Sequence, residues 1–237
     1  MKYKANSIIG QVVADDFRTA SVFKNYKIDF CCNGNRNIDE AAKTKNIDID
    51  KVLYDLENIS GSTSQENINF NAWPIDLLAD YIERIHHKYV NDKVPELLQY
   101  LNKIQAVHGE KHPELYEIYS LFQGAASDLI QHMKKEESIL FPYARQMANE
   151  TANTPPHFGT VQNPVRVMML EHENEGERFR KIRELTNYYT PPSDACSTYT
   201  VAFSMLEEFE NDLHKHIHLE NNILFPKTVE MEKLQPV

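Results

Sequence analysis

From Trp73 onward, apolar residues recur three and four positions apart, the spacing of one face of an α-helix. Ile75, Leu78, Ile82 and Ile85 share such a face, and Pro74 suits the first turn. The pattern predicts a long helix over roughly 74–107, in which Pro95 imposes a kink or break. His108-Gly109 through Pro113 reads as a turn, and a second helix is expected over 114–147. The run 153–159, rich in Pro and ending in Gly159, reads as a loop. Helices over 163–188 and 195–231 follow, parted by Thr190–Asp194. Two helices, a loop and two helices give an antiparallel four-helix bundle.

The N-terminal part carries shorter runs of the same kind. Ile8, Ile9, Val12 and Val13 share one helical spacing, and Phe17, Val22 and Phe23 begin another. Asn37 stands where an N-cap belongs, ahead of Asp39 and Glu40, and Asp48 can cap a helix with Val52, Leu53, Leu56 and Ile59. Between them Asp29–Asn35 holds Cys31, Cys32 and Gly34, and is expected to form a tight loop. A unit this small has a marginal core and needs the larger domain or a partner to rest on. Residues 61–72 are polar and read as a linker. The chain is therefore expected to be all-α: a small helical domain over 1–60, a linker over 61–72, and a four-helix bundle over 73–237.

One repeat cuts across this pattern. HMKKEESILFP at 132–142 returns 84 residues later as HIHLENNILFP, with His, Glu and Ile-Leu-Phe-Pro in the same register. His87 and His172 lie 45 and 44 positions upstream of the two copies. His132 and Glu136, like His216 and Glu220, are four apart and share a helix face. Leu129 and Leu140, with Leu213 and Leu224, turn that face towards the bundle interior. Buried His and Glu are costly unless paired or coordinated. Four histidines and two carboxylates suit two metal ions bridged by both carboxylates, each with two imidazoles. Ligation without thiolate favours iron or manganese over structural zinc. The ILFP tails read as core packing with a helix-kinking proline. His86, His214 and His218 are expected at the surface or just behind the ligands, Glu171 at the surface in preference to gating or binding near the site, and Cys196 in a structural role. Adjacent Cys31 and Cys32 disfavour a mutual disulfide; a redox or iron-transfer role and a buried apolar pair both remain open.

Composition narrows the class. The chain has 237 residues, 41% hydrophobic and 25% charged, with a mean hydropathy of −0.54. No apolar run approaches the roughly 20 residues of a membrane span, and the start lacks a secretory pattern. A formal charge of −10 argues against nucleic-acid binding. Seven glycines are few for a fold built on tight turns, which again favours helices. Three cysteines make no disulfide framework, so a reducing cytoplasm is expected.

The motifs IDFCCNGNRNIDEA at 28–41, IHHKYV at 85–90, MLEHENEGE at 169–177 and the two ILFP blocks resemble the iron–sulfur cluster repair di-iron proteins. The resemblance covers essentially the whole chain. It implies a hemerythrin-like bundle behind a cysteine-bearing domain, with His87, His132, Glu136, His172, His216 and Glu220 as ligands of two iron ions. It further implies repair of clusters damaged by nitric oxide or peroxide, through iron delivery or nitric oxide reduction. Damaged iron–sulfur proteins would be partners, and a second chain could pack on the N-terminal unit. Oxygen-carrying hemerythrins use five histidines without the symmetric repeat, which disfavours oxygen transport. The alternatives are an oxygen or nitric oxide sensor without turnover, and an iron store or structural bundle.

Overall fold

The computed structural model describes residues 2–61, 68–151 and 156–234; parts of the expected linker and of the 153–159 loop lie outside these. Among the described residues all regular structure is helical, apart from one bridge between Ile8 and Asn37.

Helices α1 (Ile9–Asp15), α2 (Ala20–Asn25), α3 (Ile38–Thr44) and α4 (Ile49–Gly61) come first. Their ends are where the polar residues put them. Asn37 and Glu40 form a reciprocal capping box, with Glu40 N donating to Asn37 Oδ1 at 2.8 Å. Asp48 accepts from Asp50 N at 3.1 Å at the head of α4. Within the loop after α2, Asp29 Oδ1 accepts from the main-chain N–H of Cys31 and Cys32, at 3.1 and 3.0 Å. These four helices do not stand alone. One apolar cluster runs from Val12, Phe23, Ile38 and Leu56 into Leu97, Phe122, Phe179 and Phe209 of the bundle.

The bundle has four long helices, three of them interrupted by a single π-turn. Helix α5 comprises Ile75–Tyr81, the π-turn Ile82–His87 and Lys88–His108. Helix α6 comprises Glu114–Lys135, the π-turn Glu136–Leu140 and Phe141–Ala148. Helix α7 is Gln162–Leu185, and α8 comprises Ser197–Leu219, the π-turn Glu220–Leu224 and Phe225–Leu234. Phe141 N–H bonds back five residues to Glu136 O, and Phe225 N–H to Glu220 O. Pro142 and Pro226 explain both. Each lacks an N–H and would drive its ring into the carbonyl four residues back, so the preceding turn widens.

The π-turn in α5 has no such proline, and it changes which residues face inward. Ile85, expected in the core, is 49% exposed, whereas His86 and His87 are buried, because an inserted residue rotates the phase of the helix. Pro95 does not end the helix; it lies inside the uninterrupted Lys88–His108 segment. Helix α7 stops at Leu185, short of the expected 188, where Asn187, Tyr188 and Tyr189 take left-handed φ values of 47°, 57° and 60°. A second apolar cluster, with Leu78, Ile82, Phe141 and Phe225, fills the other end of the bundle. Between the two clusters in sequence and space lies a layer of buried polar side chains.

Candidate metal centre

Each bundle helix sends one histidine into that layer: His87 from α5, His132 from α6, His172 from α7 and His216 from α8. Glu136 and Glu220 enter at the first residue of the two π-turns. All six are buried, none more than 3% exposed. Their donor atoms fall into two groups that share both carboxylates, His87 and His216 in one, His132 and His172 in the other. Glu136 turns Oε2 towards His87 Nε2 (3.4 Å) and Oε1 towards His132 Nε2 (3.3 Å). Glu220 turns Oε1 towards His216 Nε2 (3.0 Å) and Oε2 towards His172 Nε2 (3.2 Å).

The pocket fits a pair of cations by its own chemistry. His87 Nε2, both oxygens of Glu136 and Oε2 of Glu220 are buried without a hydrogen-bond partner. Orphaned polar atoms of this kind cost about 1–3 kcal/mol each, more when charged. His132 Nε2 and His172 Nε2 face each other at 2.9 Å, two ring nitrogens aimed at one region. Without an ion the charges settle on protons. Burial alone would push the His87 and His132 imidazoles down, but Glu136 beside both, with Glu220 and Glu171, holds each up at about 10. Burial and mutual repulsion would raise Glu136 and Glu220, yet the surrounding imidazoles keep both low. Bound cations would replace those protons.

The outward ring nitrogens follow a rule that sequence reading missed. His87 Nδ1 meets Glu137 Oε1 at 2.8 Å, His132 Nδ1 meets Glu171 Oε2 at 2.8 Å, and His172 Nδ1 meets Asn221 Oδ1 at 2.9 Å. Every partner is the chain neighbour of a residue in the layer, but it serves the histidine of the preceding helix. Such acceptors fix the tautomer and leave Nε2 free to coordinate. His216 is the exception: its Nδ1 is buried without a partner, and the ring of His86, neighbour of His87, stacks on it at 5.6 Å.

Several expectations need correcting here. Glu171 is no free surface carboxylate, since it holds His132 and is clamped by Lys135; these two partners pull it down to about 2. His86 is buried and paired with Asp212 at 2.9 Å. His218 is fully buried against Phe17 and Phe30, and burial pushes it down to about 3. Cys196 is exposed, with His108 Nε2 3.2 Å from its sulfur. Main-chain N–H groups of Tyr199 and Thr198, with His108, lower that thiol to about 7.

Cys31 and Cys32 lie on the wall of the layer. Cys32 Sγ is 3.4 Å from the carbonyl of His172, and Asn221 Nδ2 donates to Cys31 O at 3.3 Å. Asn222 donates to the carbonyls of Phe30 and Cys31, both at 3.3 Å. On the other flank a cavity of about 640 Å³ opens between α6 and α7 onto His132 and His172, lined also by Asp128, Lys135, Glu171, Glu175 and Arg178.

A helical bundle closed around paired histidines and two shared carboxylates defines a class, the cation-binding helical bundles. Residues 79–228 match the hemerythrin HHE cation binding domain, and residues 5–60 match a domain of unknown function, DUF542 or ScdA_N. The chain is 31% identical over 221 residues to the iron-sulfur cluster repair protein ScdA of Staphylococcus haemolyticus, covering 93% of this chain and 97% of that protein. It is 33% identical over 232 residues to the iron-sulfur cluster repair protein YtfE of Pectobacterium atrosepticum, covering 98% and 100%. The chain belongs to the family of these iron-sulfur cluster repair proteins. Among the described residues no helix is long and apolar enough to cross a membrane.

Proposed function

We propose that this chain holds two iron ions between its histidine pairs and uses them to restore iron–sulfur clusters damaged by oxidative or nitrosative stress. The observation that carries the reading is the splitting of each glutamate, one oxygen towards each histidine pair. In this reading His87 and His216 hold one ion, His132 and His172 the other, and Glu136 and Glu220 bridge them. The donor set of imidazole and carboxylate suits iron, and the similarity to named repair proteins supports the cellular role. Such an iron pair supplies exchangeable ferrous iron and electrons for nitric oxide reduction.

The chain's own residues do the rest. Glu137, Glu171 and Asn221 accept hydrogen bonds from the outer imidazole N–H groups and so leave the inner nitrogens free for coordination. The apolar clusters above and below exclude bulk water, while the cavity beside His132 is wide enough for nitric oxide or oxygen. In this reading Cys31 and Cys32, beside His172, assist iron transfer or docking of a damaged iron–sulfur protein. Three free cysteines suit a reducing cytoplasm, and the N-terminal helices offer a surface for a second chain.

Purified protein should contain two irons per chain, and Glu136→Ala or Glu220→Ala should lose them because each removes a bridge. Retention of both irons in both variants overturns the assignment. The same cavity also fits a sensor of nitric oxide or oxygen without turnover. Anaerobic mixing with nitric oxide separates the two: catalytic nitrous oxide formation marks reduction, and a stoichiometric nitrosyl adduct marks sensing.

A further inference from the structure

We infer that Asp29, Cys31 and Cys32 form a second metal site, which takes a soft or borderline divalent cation through two sulfurs and one carboxylate oxygen and leaves a fourth position open. The site shares no donor with the histidine–glutamate layer. It extends the transfer role proposed for the two thiols, but it does not depend on what the layer binds.

Geometry is the main support. The two sulfurs are 3.8 Å apart, and Cys31 Sγ is 3.4 Å from Asp29 Oδ1. Metal–sulfur bonds of about 2.3 Å and metal–oxygen bonds of about 2.1 Å give tetrahedral edges of about 3.8 Å for S···S and about 3.6 Å for S···O. Two of the three edges therefore already match one tetrahedron, and all three donors lie within 4.8 Å of one another. Three protein ligands with an open fourth corner mark an exchangeable site, whereas structural sites close all four.

The loop that carries these donors is held rigidly. Asp29 Oδ1 accepts from both cysteine N–H groups, and Asn33 Nδ2 holds Oδ2 at 2.8 Å. Oδ1 is filled by its two N–H bonds, whereas Oδ2 accepts one and keeps a lone pair for an ion. Asn222 ties the carbonyls of Phe30 and Cys31 to α8. Gly10 N donates to Gly34 O at 2.7 Å, an approach that locks the far end of the loop onto α1. The ordering of the donors is thus achieved by the fold before any ion arrives. Cys31 is buried, while Asp29 and Cys32 are partly exposed, so an ion has one side to enter from. Thiolate donors select softer cations than the nitrogen and oxygen donors next door. Cys32 Sγ touches the His172 carbonyl, which puts this site at the wall of the layer.

The test uses full-length, iron-loaded protein with Cys196→Ser in the background, so that only the vicinal pair reports. Cadmium(II) is titrated anaerobically, and the sulfur-to-cadmium charge-transfer absorption is followed. Saturation at one ion per chain is expected, with the band lost in Cys31→Ser and in Cys32→Ser. Asp29→Asn keeps an oxygen for the cysteine N–H groups and should keep the band while raising the cadmium Kd at least tenfold. No band in the parent, a band surviving both serine changes, or an unchanged Kd in Asp29→Asn overturns the site. Circular dichroism is read on every variant, and the serine variants, each a one-atom change, decide the matter if Asp29→Asn unfolds. Iron content is measured on the same samples, so an iron-free layer would count against the iron reading alone, because histidine and glutamate give no thiolate band.

Discussion

Glu171 never enters the ligand layer, yet its carboxylate fixes the ring of His132. Glu171→Ala should weaken metal retention about 10–100-fold, as removal of such outer partners commonly does; competition with a chelator measures it. Glu171→Gln keeps an oxygen acceptor and should lose less. The spacing of His132, Glu136, His216 and Glu220, with the two upstream histidines, sufficed to nominate the six residues that the fold brings together. Glu137, Glu171 and Asn221 were not legible in the same way. Periodicity reports the face of a residue on its own helix, whereas these three act on a neighbouring helix, and that needs the interhelical register. The thiols separate at this scale too. Cys196 should alkylate with a midpoint near pH 7, and Cys31, raised by its neighbour Cys32 and by burial, far more slowly at that pH. Peptide mass spectrometry after iodoacetamide labelling across pH reads both.

At the scale of elements, the four long helices and the capped N-terminal helices follow from apolar spacing and cap residues. The ILFP tails gave a proline and hence a distortion, but not its form: a widened turn beginning at the shared glutamate itself. The third widened turn has no proline to announce it, which is why Ile85 was placed inward and His86 outward. One tight point of contact between the small helices and the bundle is the approach of Gly10 to the Asn222 side chain. A Cβ at Gly10 would lie 2.2 Å from Asn222 Oδ1 and 3.1 Å from Gly34 O. Gly10→Ala should therefore destabilise the protein by about 1–3 kcal/mol, the usual cost of overpacking. Gly61→Ala, whose Cβ meets nothing within 4 Å, should change stability little. Urea denaturation of both variants checks the contrast.

Across the whole molecule, the central aromatic cluster is indifferent to pH, whereas a buried carboxyl beside the cavity is not. Phe122, Phe179 and Phe209 pack ring to ring at 5.3–6.3 Å and carry no charge. Glu175, buried beside the cavity, is pushed up to about 7 by burial, with Arg178 drawing it partly back. A raised carboxyl pKa favours the neutral form in the folded state. Its contribution is fully present below the unfolded pKa of about 4.5 and is lost as pH rises through about 7. That is on the order of 3 kcal/mol across the window. Glu175→Gln should flatten the fall in melting temperature between those pH values relative to the parent, measured on metal-loaded protein. An equally steep fall in the variant would exclude Glu175 as its source. Nothing in the sequence marked Glu175, since its burial comes from the packing of α6 against α7.

The outer partners of the four histidines have a consequence for how the two halves of the layer differ. Each half has one imidazole backed by a carboxylate, Glu137 on one side and Glu171 on the other; of the remaining two, His172 leans on Asn221 and His216 on the ring of His86. The charge is not delivered equally, because Lys135 clamps Glu171 while Glu137 has no such clamp in the contacts described. The half that opens to the cavity therefore shares its outer carboxylate with a lysine, and the sheltered half does not. Were a cation held by His132 and His172, the negative charge reaching it through His132 would be partly offset by Lys135, and one held by His87 and His216 would feel Glu137 without that offset. The pocket is built as a pair, but its halves are dressed for different work.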